Sequence, residues 1–84
     1  RAAISIAYRD APEALRGERD ALMAARALEK ARDFAQESFS FPRPIAIEAR
    51  ACGRPDASWD PQARRLELCY EMVAALRALE KGAP

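Results

Sequence analysis

The sequence predicts an α+β fold, a small mixed β-sheet in β-α-β-β-β-α order with one long helix packed on it. Three observations lead there. Ile4, Ile6 and Tyr8 alternate with Ser5, Ala7 and Arg9, and the same period returns at Ile45, Ile47, Ala49 and Ala51 and at Leu66, Leu68 and Tyr70. That is the spacing of strands with one buried face. Residues 18–37 and 70–81 instead place apolar side chains three and four apart, the spacing of helices. Pro12, Pro42, Pro44 and Pro61 fall between these stretches, where a missing amide and a fixed φ do least harm.

The elements follow in order. The first strand runs through Ile4–Tyr8. Asp10-Ala11-Pro12-Glu13 resembles a helix start, with Asp10 placed to accept from open amides and Glu13 favouring the positive helix end. Gly17 weakens the next turn, so a short helix and a break before the main helix are expected there. From Glu18 to Glu37 the expected buried stripe is Ala24, Ala27/Leu28, Ala31, Phe34/Ala35 and Ser38, with Leu22 and Met23 beside its start. Arg16 with Asp20, Arg26 with Glu29 and Lys30 with Asp33 sit at neighbour spacings that support a solvated face. Phe39-Ser40-Phe41-Pro42-Arg43-Pro44 ends the helix, and a second strand follows from Ile45. Asp60-Pro61 marks a turn. Residues 64–70 form a further strand. The last helix runs from Tyr70 to Lys81, with Met72/Val73, Leu76 and Leu79 on one side and Gly82 as its stop.

Eighty-four residues make a single domain or a partial one, thinly cored because alanine supplies so much of the apolar fraction. The last helix ends within a few residues of Pro84, leaving little chain to cover a second sheet face, so a partial domain is the expectation for residues 1–84. A formal charge of +1, with Arg64-Arg65 the one adjacent basic pair, gives no clustered basic face. Nucleic acid is therefore not an expected partner, and no strand carries the paired surface aromatics that RNA recognition uses. No apolar run reaches the ~20 residues of a membrane span. Nothing at the start, Arg1, resembles a signal peptide, so compartment is not legible from targeting.

Cys52 and Cys69 allow two readings. If residues 45–52 and 64–70 form a plain hairpin, Cys52 lies near the loop and Cys69 at the far end, and they cannot meet. If Ala57–Trp59 is an edge strand and residues 64–69 return between it and the second strand, the second and last strands are parallel neighbours. Both cysteines then fall at one end, where a disulfide is reachable and a periplasmic or secreted setting is favoured. Two unpaired thiols in a cytosolic protein are the alternative. A zinc site from these two thiolates is not expected, since structural sites use four ligands at tighter spacing. Neither thiol is expected to be catalytic, with no histidine in the chain to act as base.

Residues 41–71 carry a run of punctuation: Pro42, Pro44, Cys52-Gly53, Pro55, Ala57, Trp59-Asp60-Pro61 and Cys69-Tyr70-Glu71. This resembles a bacterial family described as zinc metallopeptidases, much of it a domain of unknown function. The family pattern is a proline-flanked strand, Cys-Gly, Pro-Asn-Ala-aromatic, Asp-Pro, and a strand ending Cys-Tyr-Glu. Asp56 stands where that family has asparagine, exchanging an amide donor for a negative charge. The resemblance implies the N-terminal half of a zincin domain, with zinc as the cofactor of the full-length family. By similarity to zincin peptidases, Asp56, Ala57 and Trp59 are the substrate-binding residues, on an edge strand that pairs with an extended peptide.

The family's chemistry resides on a His-Glu-x-x-His helix, with a later acidic ligand. Residues 1–84 contain no histidine. No catalytic residue, metal ligand or cofactor is therefore assigned within this chain, and it is expected to be inactive alone. Asp60, Glu67 and Glu71 are the other carboxylates near the edge, with surface or capping roles, Glu71 at the positive end of the last helix. The expected partner is an extended peptide substrate or a partner strand, with a second polypeptide or a C-terminal half completing the domain. The competing function is a non-enzymatic interaction module whose exposed edge strand binds a peptide or a second copy.

Overall fold

The computed structural model describes residues 3–82. Four strands form one mixed sheet: β1 (Ile4–Tyr8), β2 (Ile45–Arg50), β3 (Ala57–Asp60) and β4 (Arg65–Cys69). Their spatial order is β1-β2-β4-β3, with β1 parallel to β2, β2 parallel to β4, and β3 antiparallel to β4. The α+β class is as the sequence predicts, and of the two arrangements left open the chain takes the one with residues 65–69 between β2 and the edge strand. Chain geometry explains the slot. Residues 51–56 carry the chain past one strand position, a sideways step of about 10 Å that six residues span with ease. The hairpin at Pro61–Arg64 then turns β4 back into the gap.

Register puts Ile4, Ile6 and Tyr8 beside Ile45, Ile47 and Ala49, and these beside Leu66 and Leu68. Trp59 and Ala57 continue the same face through their pairing with Leu66 and Leu68. The opposite face carries Glu48, Arg50, Arg65 and Glu67, with Ser58 and Asp60 at its margin. Helical segments cover the apolar face over β1 and β2. Ile4, Ala11, Leu28, Ile47, Ala49 and Tyr70 form the buried cluster there.

The segment expected as one long helix is two, α1 (Arg16–Ala24) and α2 (Ala27–Ser38), after a single 3-10 turn at Glu13–Leu15. Gly17 lies inside α1. The break falls instead at Ala25–Arg26, where Arg26 adopts a left-handed φ of 55°. Tyr8 on β1 fixes that position. Its hydroxyl accepts the Leu28 N–H at 3.0 Å and donates to Glu29 Oε1 at 2.5 Å, so it supplies the cap of a new helix. Burial raises the Tyr8 hydroxyl pKa, reinforced by the Glu29 carboxylate.

Asp10 does not cap. The turn that follows begins at Pro12 with no side-chain cap, while Asp10 points outward and pairs with Arg19 at 3.0 Å. The reason is the burial of Ala11, which turns its neighbour toward water. Ion pairs among the described residues also run between elements, as Arg77–Glu18 does from the last helix to α1 at 3.0 Å, rather than along the expected helical spacings. Of the expected stripe, Leu28 is buried and Leu22, Ala27 and Ala35 are partly so. Ala24, at the end of α1, is exposed, as are Ala31, Phe34 and Ser38, because α2 covers β1 and β2 and its other flank overhangs bare sheet. On α3 (Tyr70–Gly82), Met72 and Val73 are half-buried, whereas Leu76 and Leu79 face water. Tyr70 is fully buried and donates to the Arg9 carbonyl at 2.6 Å, tying the start of α3 to the end of β1.

Candidate functional site

The edge strand is built by three local devices. Gly53 turns the chain with φ 87°, a region that suits glycine. Asp60 Oδ1 accepts the Gln62 and Ala63 amides at 3.0 and 3.2 Å, closing the hairpin as an Asx turn. Arg64 then takes a left-handed φ of 52°. Its guanidinium compensates by donating to the carbonyls of Pro44 and Arg43 and by lying 5.9 Å from the Trp59 ring centroid.

The pairing pattern decides which backbone groups are free. Cys69 N–H donates to the Asp56 carbonyl at 3.0 Å, so the pair 56/69 is a hydrogen-bonded one. Antiparallel pairs alternate, which turns Ser58 inward to β4 and turns the amides and carbonyls of Ala57 and Trp59 away from the sheet. The outer rim is thus Ala57 and Trp59. One of its donors is already engaged: Asp56 Oδ1 accepts the Ala57 N–H at 2.8 Å, while Arg54 clasps Asp56 Oδ2 through Nε and Nη2. Of the three residues picked from the sequence, Ala57 and Trp59 lie on this rim, while the Asp56 backbone faces β4. Asp56 serves as a local cap on the rim.

Beside this rim the uncovered part of the apolar face forms a groove of about 450 Å³, between Phe34 and Ala35 of α2, Phe39, Phe41, Leu66 and Trp59. Trp59 is 44% exposed, Leu66 40% and Phe34 65%, which is unusual for side chains of this size in so small a domain. Phe39 packs edge-on to Phe34 and tilted against Phe41, with ring centroids 6.3 Å apart in both cases. Alternation in the sequence put Leu66 and Leu68 on one face, and the β3–β4 register adds Trp59 to it. The groove itself follows from where α2 ends, which no local signal carries.

Cys52 and Cys69 are bonded, their Cα atoms 5.4 Å apart. Parallel pairing of β2 with β4 sets Arg50 opposite Cys69, which brings the residue two places beyond Arg50 within reach. Glu71 does more than sit at a helix end. Its two carboxylate oxygens accept the Cys52 N–H at 3.0 Å and the Gly53 N–H at 2.7 Å. The Cys52 amide is the main cause that holds the Glu71 carboxyl below the usual carboxylate range. On the polar face Glu48 is also held low, first by the Arg9 fork that donates to both its oxygens. Glu67 bridges Arg65 at 2.7 Å and Arg50 at 3.4 Å.

Among the described residues the one convergence of metal-binding side chains is Cys52, Cys69 and Glu71, with ligand atoms within 4.8 Å of one another. With the sulfurs bonded to each other and the carboxylate spent on two amides, this set does not fit a peptidase metal, and no histidine is available to join it. A family model described as "Putative metallopeptidase" matches residues 8–83. No curated protein matches the chain, and no solved structure does.

Proposed function

From the premise that the chain belongs to this metallopeptidase family, we propose that it supplies the family's substrate edge. An extended peptide adds to the outer side of β3, exchanging hydrogen bonds with the outward amides and carbonyls of Ala57 and Trp59. Trp59 presents its ring to the peptide's side chains, and Asp56 governs access by releasing or retaining the Ala57 amide. The outward backbone of Ala57 and Trp59, lying along the rim of the apolar groove, carries this reading.

The family description implies a metal. The residues of this chain do not assemble a peptidase centre for it, so no bond-breaking step is assigned to them. The 84-residue chain is expected to bind peptide without cleaving it. Amide NMR with an unlabelled extended peptide tests this. Ala57, Ser58 and Trp59 should show the largest shift changes, and the peptide should be recovered intact. Shift changes confined to β1, the other sheet edge, would refute the assignment.

A second reading rests on the exposed aromatics of the groove. Two copies pairing through β3 would bury Trp59 and Leu66 and close the open edge. Sedimentation over a range of concentrations separates the two, because a strict monomer that binds peptide supports only the first.

A further inference from the structure

The convergence of Cys52, Cys69 and Glu71 has a second use once the disulfide is opened. We propose that the reduced chain holds a thiolate-rich site for a borderline divalent cation such as Zn²⁺, formed by Cys52 Sγ, Cys69 Sγ and one Glu71 oxygen, and that the disulfide is the closed state of this redox switch.

Three observations support it. The ligand atoms already lie within 4.8 Å of one another, a spread from which small side-chain rotations make a tetrahedral half-shell. Their positions do not depend on the sulfur–sulfur bond alone. Cys69 is held in β4 by pairing with β2 and by its amide bond to the Asp56 carbonyl. Cys52 is held by its amide bond to Glu71. Glu71 thus clamps the 52–53 turn against the end of β4, so the two sulfurs stay neighbours after reduction. Access is also present. A cleft of about 200 Å³ lined by Arg50, Arg54, Asp56, Ser58 and Glu67 reaches both cysteines, its two arginines paired with Glu67 and Asp56.

The chemistry balances with a dithiol reductant of the thioredoxin class. A reductant thiolate attacks the half-exposed Cys52 sulfur, the sulfur–sulfur bond breaks, and the second reductant thiol resolves the mixed disulfide. Two electrons and two protons arrive at Cys52 and Cys69, and the reductant leaves as its own disulfide. Zn²⁺ then displaces both thiol protons, and water completes the coordination. Glu71 gives up one of its two amide bonds and keeps the other. The three anionic ligands leave a net negative site beside the Arg50–Glu67 pair. Where thiols are kept reduced the ion replaces the covalent staple, and where they are oxidised it cannot enter.

Cobalt serves as a coloured probe for zinc. The chain reduced with a phosphine and titrated anaerobically with Co²⁺ should take up one ion per chain. It should show a thiolate-to-cobalt charge-transfer band that added Zn²⁺ abolishes. The oxidised chain should show no band. Glu71→Gln should weaken uptake by about tenfold or more, in line with the loss of a supporting oxygen at a metal site, and C52S/C69S should abolish it. Far-ultraviolet circular dichroism on the same samples reports the fold. The proposal is overturned if the reduced, folded chain gives no band. Equal affinity in Glu71→Gln overturns it too, since that means two thiols bind without the site. So does a reduced chain that unfolds and does not refold on adding Zn²⁺.

Discussion

Removing the disulfide as C52A/C69A should cost about 3 kcal/mol. The bond closes a loop with a sequence separation of 17. Closure entropy for a loop of that length is about 10 cal/mol/K, or about 3 kcal/mol at 25 °C. For a domain of this size each kcal/mol moves the midpoint by roughly 4–8 °C, so Tm should fall by about 12–24 °C. The fold itself should persist, because Glu71 still accepts the Cys52 and Gly53 amides and β4 keeps its pairing with β2 and β3. Urea unfolding followed by circular dichroism, with the oxidised chain as reference, gives both numbers needed. The midpoint concentration should drop and m should rise, because the uncrosslinked unfolded chain exposes more surface. Unfolding curves that superimpose, or a midpoint shift equivalent to less than about 1 kcal/mol with unchanged m, would refute the argument that the staple acts on the unfolded state.

Three further outcomes follow from single contacts. Tyr8→Phe removes the acceptor of the Leu28 amide, so the start of α2 should fray. Global stability should fall by about 1 kcal/mol, with amide exchange at Leu28 accelerated more than at Ala35. Arg64→Gly should be more stable than Arg64→Ala by about 1 kcal/mol. Both lose the guanidinium contacts, and only alanine bears the left-handed φ of 52°; equal chemical-denaturation midpoints would contradict this. Glu48 and Glu71 are both held below the ordinary carboxylate range in the folded chain. The unfolded chain therefore binds their protons more readily. Their stabilisation is complete above about pH 4.3, the unfolded value, and is lost as pH falls through the lower folded values. Glu48→Gln should flatten the acid limb of the stability curve, and an unchanged limb would show that the Arg9 fork contributes nothing.

Part of the topology was legible in the sequence, and part was narrowed to two arrangements. Strict alternation fixed the faces of β1, β2 and β4. The Asp60-Pro61 turn marked the hairpin, whereas the place of β3 outside β4 was one of two arrangements the sequence left open. The helical break was not legible, since its cause is a hydroxyl twenty residues away: Tyr8 caps Leu28 from the sheet and so dictates where α2 begins. Gly17, the local signal, carried less weight than that long-range bond. Ala57 and Trp59 share a rim by strand parity, and Asp56 does not. The engagement of Asp56 with the Ala57 amide could not be read from parity, because it depends on a side-chain rotation that Arg54 holds. The Glu71 clamp had a visible signal in Cys69-Tyr70-Glu71, but its partners lie across the loop and only the folded chain names them.

The two sheet faces are covered differently. The charged face is satisfied by its own ladder, Arg9 with Glu48, Arg65 and Arg50 with Glu67, and so can meet water without a helix. The apolar face has helical cover only over β1 and β2, leaving Trp59 and Leu66 bare. A small domain that leaves its large side chains outside gains little from burial in that half. The disulfide and the Glu71 clamp lie at the other end of β4 from Leu66, on its charged side, at the joint between β2, β4 and the 51–56 segment that carries β3. They tie the 51–56 segment, and through it β3, to β4 and the start of α3. On the proposed reading a rigid rim has a direct consequence, because a peptide that meets an ordered edge loses less free energy to ordering it. Reduction in the absence of metal should therefore weaken peptide binding at β3 even at temperatures where the strands persist. Undiminished affinity in C52A/C69A, measured well below its melting point, would mean that the rim is held by the hairpin alone.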